Sequence, residues 1–223
     1  MSLNPFIIRL NQSDNLTLSM HWNIKSKLTA KTKPQRQKQL LKLLLNQRGL
    51  TTKATIADFI SPTHPKDISL SLAGIKLSEI NKAINRIKAA ISNNQQIVIY
   101  GDYDADGITA TATLWLALHS LGARVHPFIP HRIDHGYGLS ITGLKQVIAD
   151  HNPSLIITVD NGIVAHQAAD FLAGKKIDLI ITDHHQPTKT LPKASAIVHT
   201  DQVSGCAVAW FFARQILAEI PST

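Results

Sequence analysis

The sequence predicts an α/β protein, a parallel β-sheet flanked by helices and preceded by a small helical N-terminal segment. Two observations carry that prediction. From about residue 96 onward, apolar runs of strand length alternate with segments of helical periodicity, the pattern of βαβ units and a parallel sheet. Three of those runs end in acidic or imidazole side chains, and a parallel sheet brings all C-terminal strand ends to one edge.

In chain order, residues 1–35 are weakly periodic and rich in Lys, Ser, Thr and Asn, which suggests an irregular lead-in. The stretch PQRQKQLLKLLLNQRGL has apolar residues at helical spacing and closes on Gly49, a helix stop. TKATIADFI, before Pro62, predicts a second short helix. LSEINKAINRIKAAISNN places Ile80, Ala83, Ile84, Ile87 and Ala90 on one face of an amphipathic helix. The strand candidates are QIVIY (96–100), RVHPFIP (124–130), SLIITVD (154–160), IDLIITD (177–183) and SAIVHT (195–200). TATATLWLALHSLG, SITGLKQVIAD and VAHQAADFLAG lie between them as helices, and AVAWFFARQILAEI closes the pattern. The near-continuous apolar character of the strands fits burial on both faces. No internal repeat or low-complexity tract interrupts the order.

A chain of 223 residues has room for one sizeable core and a small appendage. Its apolar runs are all too short to span a membrane. The opening MSLNPFIIRLNQSD lacks the basic start, apolar stretch and cleavage site of a secretory signal. Cys206, the single cysteine, cannot form an internal disulfide, so a reducing, cytoplasmic compartment is expected.

The formal charge of +8 is unevenly placed. Residues 1–60 hold ten Lys/Arg against Asp14 and Asp58, while residues 61–223 hold thirteen of each sign. The whole excess therefore sits in the N-terminal quarter. A localised basic segment is the electrostatic footprint of a polyanion partner, and a solvated, solubilising face has the same composition.

The candidate chemistry lies at the strand ends. IVIY leads into Gly101-Asp102-Tyr103-Asp104-Ala105-Asp106-Gly107, LIITV into Asp160-Asn161-Gly162, and DLIIT into Asp183-His184-His185. An unpaired charge at the end of a buried strand is costly, and clustered carboxylates repel one another unless a cation holds them. Oxygen ligands with one or two imidazoles suit Mn²⁺ or Mg²⁺ better than a thiolate-preferring metal. The constellation predicts a two-metal hydrolytic site, with ions ~3.5–4 Å apart. An EF-hand loop also opens D-x-D-x-D-G, but its twelfth position here is Thr113 rather than Glu. Asp104-Ala105-Asp106-Gly107-Ile108-Thr109 echoes the D-x-D-G-T of haloacid-dehalogenase-like phosphatases. There the first Asp directly follows the strand, whereas Gly101-Asp102-Tyr103 intervene here.

GDYDADGITATA, TVDNG and TDHH, in this order and roughly this spacing, resemble motifs I, II and III of the DHH phosphoesterases. PHRIDHGYGLS, LLLNQRGL…IADFISP…INRIKAAI and GCAVAWFFARQI resemble the RecJ-type branch, nucleases of single-stranded DNA. The resemblance covers about residues 40–220. Other branches often carry a His at this position, four residues before Asp104; Tyr100 stands here, as suits the nuclease branch. The resemblance implies that Asp104 and Asp106 each bind one of two metal ions, that Asp160 bridges them, and that His184 completes one coordination shell. It implies that Asp102 orients the motif I loop and that His185 contacts the scissile phosphate or the nearby carboxylates. Arg132, ahead of Gly136-Tyr137-Gly138, is the implied phosphate ligand, since a guanidinium fork matches phosphate oxygens. Gly101, Gly107, Gly136 and Gly138 are the loop-shaping positions.

The implied function is 5′-to-3′ exonuclease hydrolysis of single-stranded DNA in repair and recombination, with two Mn²⁺ or Mg²⁺ ions. A single-strand-binding protein or a helicase is the implied protein partner. The expected division is a basic, mainly helical segment over residues 1–90, then a DHH phosphoesterase domain over 91–223 cut before a fourth motif. That motif would bring another metal-binding aspartate and precede a DHHA1 substrate-gripping domain. The metal site is therefore expected to be one ligand short and the substrate clamp absent, as in a fragment, a truncated gene product or a degenerate paralogue. His199-Thr200 stands where Asn-Pro is usual, and His135 replaces an acidic residue before GYG. Two other readings stay open. One is a DHH phosphodiesterase for oligoribonucleotides or cyclic dinucleotides; the other is a non-catalytic module that keeps the fold and binds nucleic acid.

Overall fold

A computed structural model describes residues 26–136 and 138–221. The chain divides into two compact units between His64 and Pro65.

The first unit carries α1 (Lys33–Gln47) and α2 (Lys53–Ile60). Pro34 opens α1, where its missing N–H costs nothing, and Gly49, with φ of 76°, follows its end. A reciprocal capping box starts α2, in which Thr52 Oγ1 accepts from the Thr55 amide and Thr55 Oγ1 from the Thr52 amide. The eight Lys and Arg side chains from Lys27 to Lys53 are all exposed.

The second unit begins with a short 3-10 turn, Pro65–Asp67, and α3 (Leu77–Ser92). It continues through β1 (Ile97–Tyr100), α4 (Ala105–Ser120), β2 (Val125–Phe128), α5 (Arg132–His135) and α6 (Ile141–His151). It ends with β3 (Leu155–Val159), α7 (His166–Gly174), β4 (Asp178–Asp183), β5 (Ala196–His199) and α8 (Gly205–Glu219). All strand pairs are parallel, in the order β2-β1-β3-β4-β5.

Alternate strand residues feed two apolar layers. Ile97, Ile99, Leu155, Ile157, Val159 and Ile180 pack with α3, α4 and α8 on one face. Val98, Tyr100, Ile156 and Ile181 pack with α6 and α7 on the other. The expected parallel sheet with flanking helices is thus the observed one, and the predicted apolar face of α3 is buried at every position.

Burial on both faces holds for β1, β3 and the interior of β4, but not for the edges. On β2 the side chains of His126 and Pro127 are exposed, and β5 is only alternately buried. Proline is tolerated on β2 because an edge strand has one side that pairs with no neighbour. The boundary also differs from residue 91. The sheet-bearing unit starts at Pro65, because Ile80, Ile84 and Ile87 of α3 are part of its core.

Side chains tie α3 to the strand ends. Arg86 donates to Asp178 at the start of β4, to Gln95 and to the Ser154 carbonyl before β3. Glu79 Oε2 accepts the Ile197 amide of β5 at 3.0 Å, and Oε1 pairs with Lys82 at 2.7 Å. The Lys82 bond, then the Ile197 N–H, holds the Glu79 carboxyl below its usual range. A depressed acid stabilises the fold above its unfolded pKa and loses that contribution as pH falls through the folded value. Glu79→Gln is therefore expected to lower stability at pH 7 by about 0.5–1 kcal/mol. Chemical denaturation at both pH values should show the difference shrinking at pH 3.

Candidate metal centre

Strand order reverses between β1 and β3, and their carboxyl ends open the crevice where such sheets hold ligands. Three turns meet there. The β1–α4 turn carries Asp102 and Asp104 and leads into Asp106, β3 is followed by Asp160, and β4 ends at Asp183 before His184 and His185.

The β1–α4 turn is compact. Gly101 lies where a Cβ would overlap Thr111 Oγ1 and come within 2.8 Å of Ile129 Cδ1. Asp102 is 2 % exposed, accepts the Tyr103 amide at 2.6 Å, and has its pKa raised chiefly by burial. Asp104 is the N-cap of α4, its Oδ1 accepting the Gly107 amide at 2.8 Å. Asp106 lies in the first turn of α4. Its Oδ2 accepts the Gly205 amide at 2.8 Å, and its Oδ1 accepts the Cys206 amide at 2.7 Å.

Asp160 is strongly perturbed. It is 2 % exposed, has a left-handed φ of 62°, and its Oδ1 makes no hydrogen bond among the described residues. Burial, then Asp106 and Asp104, pushes its carboxyl up to about 7. His184 Nε2 stands 3.1 Å from Asp160 Oδ1 and 3.7 Å from Asp106 Oδ2. Ligand atoms of Asp160, His184 and His185 all fall within 4.8 Å of one another. A buried carboxylate oxygen without a hydrogen-bond donor, faced by an imidazole nitrogen and repelled by two more acids, fits a divalent cation. The donor set has oxygen and nitrogen atoms and no thiolate, which suits a hard or borderline ion.

The structure places the remaining sequence-predicted residues as follows. His185 Nδ1 lies 2.8 Å from Asp183 Oδ1. Burial works to lower the His185 pKa, but Asp183, then Asp160 and Asp102, more than offset it and hold it above the ordinary value. Arg132, on α5, stacks its guanidinium over the Tyr103 ring at 5.2 Å from the centroid. Gly136 and Gly138 have φ of 78° and 67°, with open space around both, so backbone conformation rather than crowding selects glycine there. Tyr137 lies outside the described residues.

Several residues with no assigned role emerge as organisers. Asp183, 1 % exposed, accepts the amides of Ile163, His184 and His185 as well as the His185 ring contact. It is the first acid of the TDHH motif, so a signal was present, but its direction was not. Asn161 Nδ2 donates to the Gly101 and Val159 carbonyls, stapling the ends of β1 and β3 together. The Tyr100 hydroxyl reaches the Gly138 carbonyl at 3.4 Å, which ties β1 to the GYG loop. His199, in place of the usual Asn, lies 2.7 Å from the His185 carbonyl through its Nε2.

An open parallel sheet with an acid–imidazole cluster at its switch point defines an α/β protein whose candidate ligand site lies at the carboxyl ends of β1, β3 and β4. The family model described as "DHH family, N-terminal domain" matches residues 96–222, and the chain belongs to the DHH family. It is similar to the single-stranded-DNA-specific exonuclease RecJ of Bacillus subtilis (strain 168), 36% identical over 219 residues, covering 92% of this chain and 27% of that protein. Among solved structures it is similar to an exonuclease RecJ bound to manganese. That match has TM-score 0.58 and 35% identity, and covers 66% of this chain and 40% of that one. It is also similar to RecJ in complex with Mn²⁺ from Thermus thermophilus. There the TM-score is 0.56 and the identity 30%, over 81% of this chain and 25% of that one. The chain thus spans about a quarter of the length of its Bacillus relative. No helix among the described residues is long and apolar enough to cross a membrane.

Proposed function

We propose that this chain forms the metal-binding core of a nuclease that hydrolyses phosphodiester bonds of single-stranded DNA from the 5′ end. The observation that carries the reading is the buried, donor-free Asp160 oxygen facing His184 Nε2 at the switch point. Asp104, Asp106, Asp160 and His184 would hold two Mn²⁺ or Mg²⁺ ions, and the manganese-bound RecJ structures support that choice of metal. When bound, such ions supply an acidified water as nucleophile and charge neutralisation at the phosphoryl oxygens.

The chain's own residues orient the groups of the cleft. Asp183 fixes the His185 ring through Nδ1, so the imidazole meets the cleft in one orientation. Arg132, held by the Tyr103 ring, offers a guanidinium fork to a phosphate entering beside the motif I turn. The exposed cations of the N-terminal unit favour a polyanionic substrate over a small one. A cytoplasmic role in repair and recombination, with a single-strand-binding protein or a helicase supplying the strand, accompanies this reading.

The test is degradation of a 3′-labelled single-stranded oligonucleotide by the chain with Mn²⁺, beside Asp160→Ala. The expected result is metal-dependent shortening from the 5′ end by wild type, reduced at least about a hundredfold in the variant, as for loss of a group acting on the transition state. Equal background in both proteins would contradict catalysis and favour the binding-module reading.

A further inference from the structure

We infer that the N-terminus of α8 positions the metal-facing carboxylates, with Gly205 as the residue that makes this possible. The inference rests on the metal-centre reading above and adds a positioning element from outside the three motifs.

The geometry is specific. Asp106 projects from the first turn of α4 and meets two consecutive backbone amides of α8, Gly205 at 2.8 Å and Cys206 at 2.7 Å, one to each oxygen. The two bonds fix the plane of the carboxylate, because each oxygen is held by its own donor. The first amides of a helix have no intrahelical acceptor, so an anion satisfies them and meets the positive end of the helix dipole. Ser204 completes the end by accepting the Ala207 amide at 3.3 Å.

The same residue is in contact with the second carboxylate. A Cβ on Gly205 would overlap Asp160 Oδ1, and would lie 2.6 Å from Asp160 Cγ and 2.8 Å from its Cβ. Rotating the carboxylate alone does not clear that contact, since Cβ is fixed to the backbone at the end of β3. Only glycine lets the helix end sit against Asp160 while its amide holds Asp106. One oxygen of each acid then stays within 3.7 Å of His184 Nε2. Carboxylates from two different turns are thereby set around one imidazole by a helix that contributes no ligand of its own. The capping bonds also withdraw negative charge from Asp106, which lets it stand near Asp160 with less mutual repulsion.

The experiment is Mn²⁺ titration by calorimetry on the chain, comparing wild type, Gly205→Ala and Ile216→Val. Ile216→Val removes a buried methylene at the far end of α8 and serves as the control for lost packing. Wild type should take up Mn²⁺, Gly205→Ala should bind at least about tenfold more weakly, and Ile216→Val should bind as wild type. Equal affinity in wild type and Gly205→Ala would overturn the inference and leave the metal centre standing. No uptake by wild type would bring down the metal-centre reading and this inference with it. If Gly205→Ala fails to fold, amide hydrogen exchange in the metal-free protein decides. Gly205 and Cys206 should be protected in wild type and exchange at least about tenfold faster in Asp106→Ala. Unchanged exchange at both amides would overturn the inference.

Discussion

Asp160→Asn is expected to make the metal-free protein more stable at pH 8 while erasing the stabilisation that Mn²⁺ confers on the wild type. Burial and the neighbouring Asp106 and Asp104 raise the Asp160 pKa from the ordinary 3.8 to about 7. An acid whose folded pKa exceeds its unfolded one opposes folding once the unfolded chain ionises. The penalty is absent below about pH 4, grows between pH 4 and 7, and is complete above 7. Each tenfold change in proton affinity is worth ~1.4 kcal/mol, so asparagine should gain on the order of 2–4 kcal/mol at pH 8. That gain should disappear at pH 4. Melting curves in EDTA across that range test the sign. Adding MnCl₂ should raise the melting temperature of wild type and leave Asp160→Asn unmoved. Stability and metal response should therefore move in opposite directions, which simple loss of packing cannot produce.

Gly107→Ala is expected to be the most damaging single methyl addition in the motif I turn. A Cβ at this position would lie 2.5 Å from Asp102 Cβ and 2.7 Å from its Cα and amide nitrogen. Those are largely backbone atoms, so no rotamer change clears the overlap. Relief requires opening the turn that aims Asp102, Asp104 and Asp106, and it pulls the Gly107 amide from Asp104. A loss above about 3 kcal/mol is expected, in the range of severe overpacking. Gly136→Ala offers the contrast. Its surroundings are open, so only the backbone conformation, φ 78° with ψ −160°, resists a side chain, and a cost of roughly 1–3 kcal/mol follows. Urea denaturation of the two variants side by side measures the gap. Near-equal losses would mean that the close approach at Gly107 is readily relieved.

Much of this was legible in the sequence, for a definable reason. Apolar runs of strand length, helix stops and turn residues are local signals, and all five strands and the long helices follow from them. The convergence of Asp160 with His184 followed as well, because parallel strands leave one common edge. What spacing could not show was side-chain direction at that edge. Nothing in DYDADG says that Asp104 caps α4 while Asp106 reaches across to the first amides of α8. Nor does TDHH reveal that its aspartate holds three amides and the second imidazole. The exposure of His126 and Pro127 on β2 was missed because an edge position depends on strand order, which local composition does not reveal. The place of α3 in the sheet-bearing core was missed for a related reason. An amphipathic face declares that it is buried, and leaves open against what.

The most direct measurement is an anomalous difference map from crystals of the chain grown with Mn²⁺. A strong peak is expected within about 2.0–2.4 Å of Asp160 Oδ1 and His184 Nε2, the distance range of such ligands. A map with no peak at this cleft, with manganese at millimolar concentration and Asp160 ordered, would contradict the metal-centre reading.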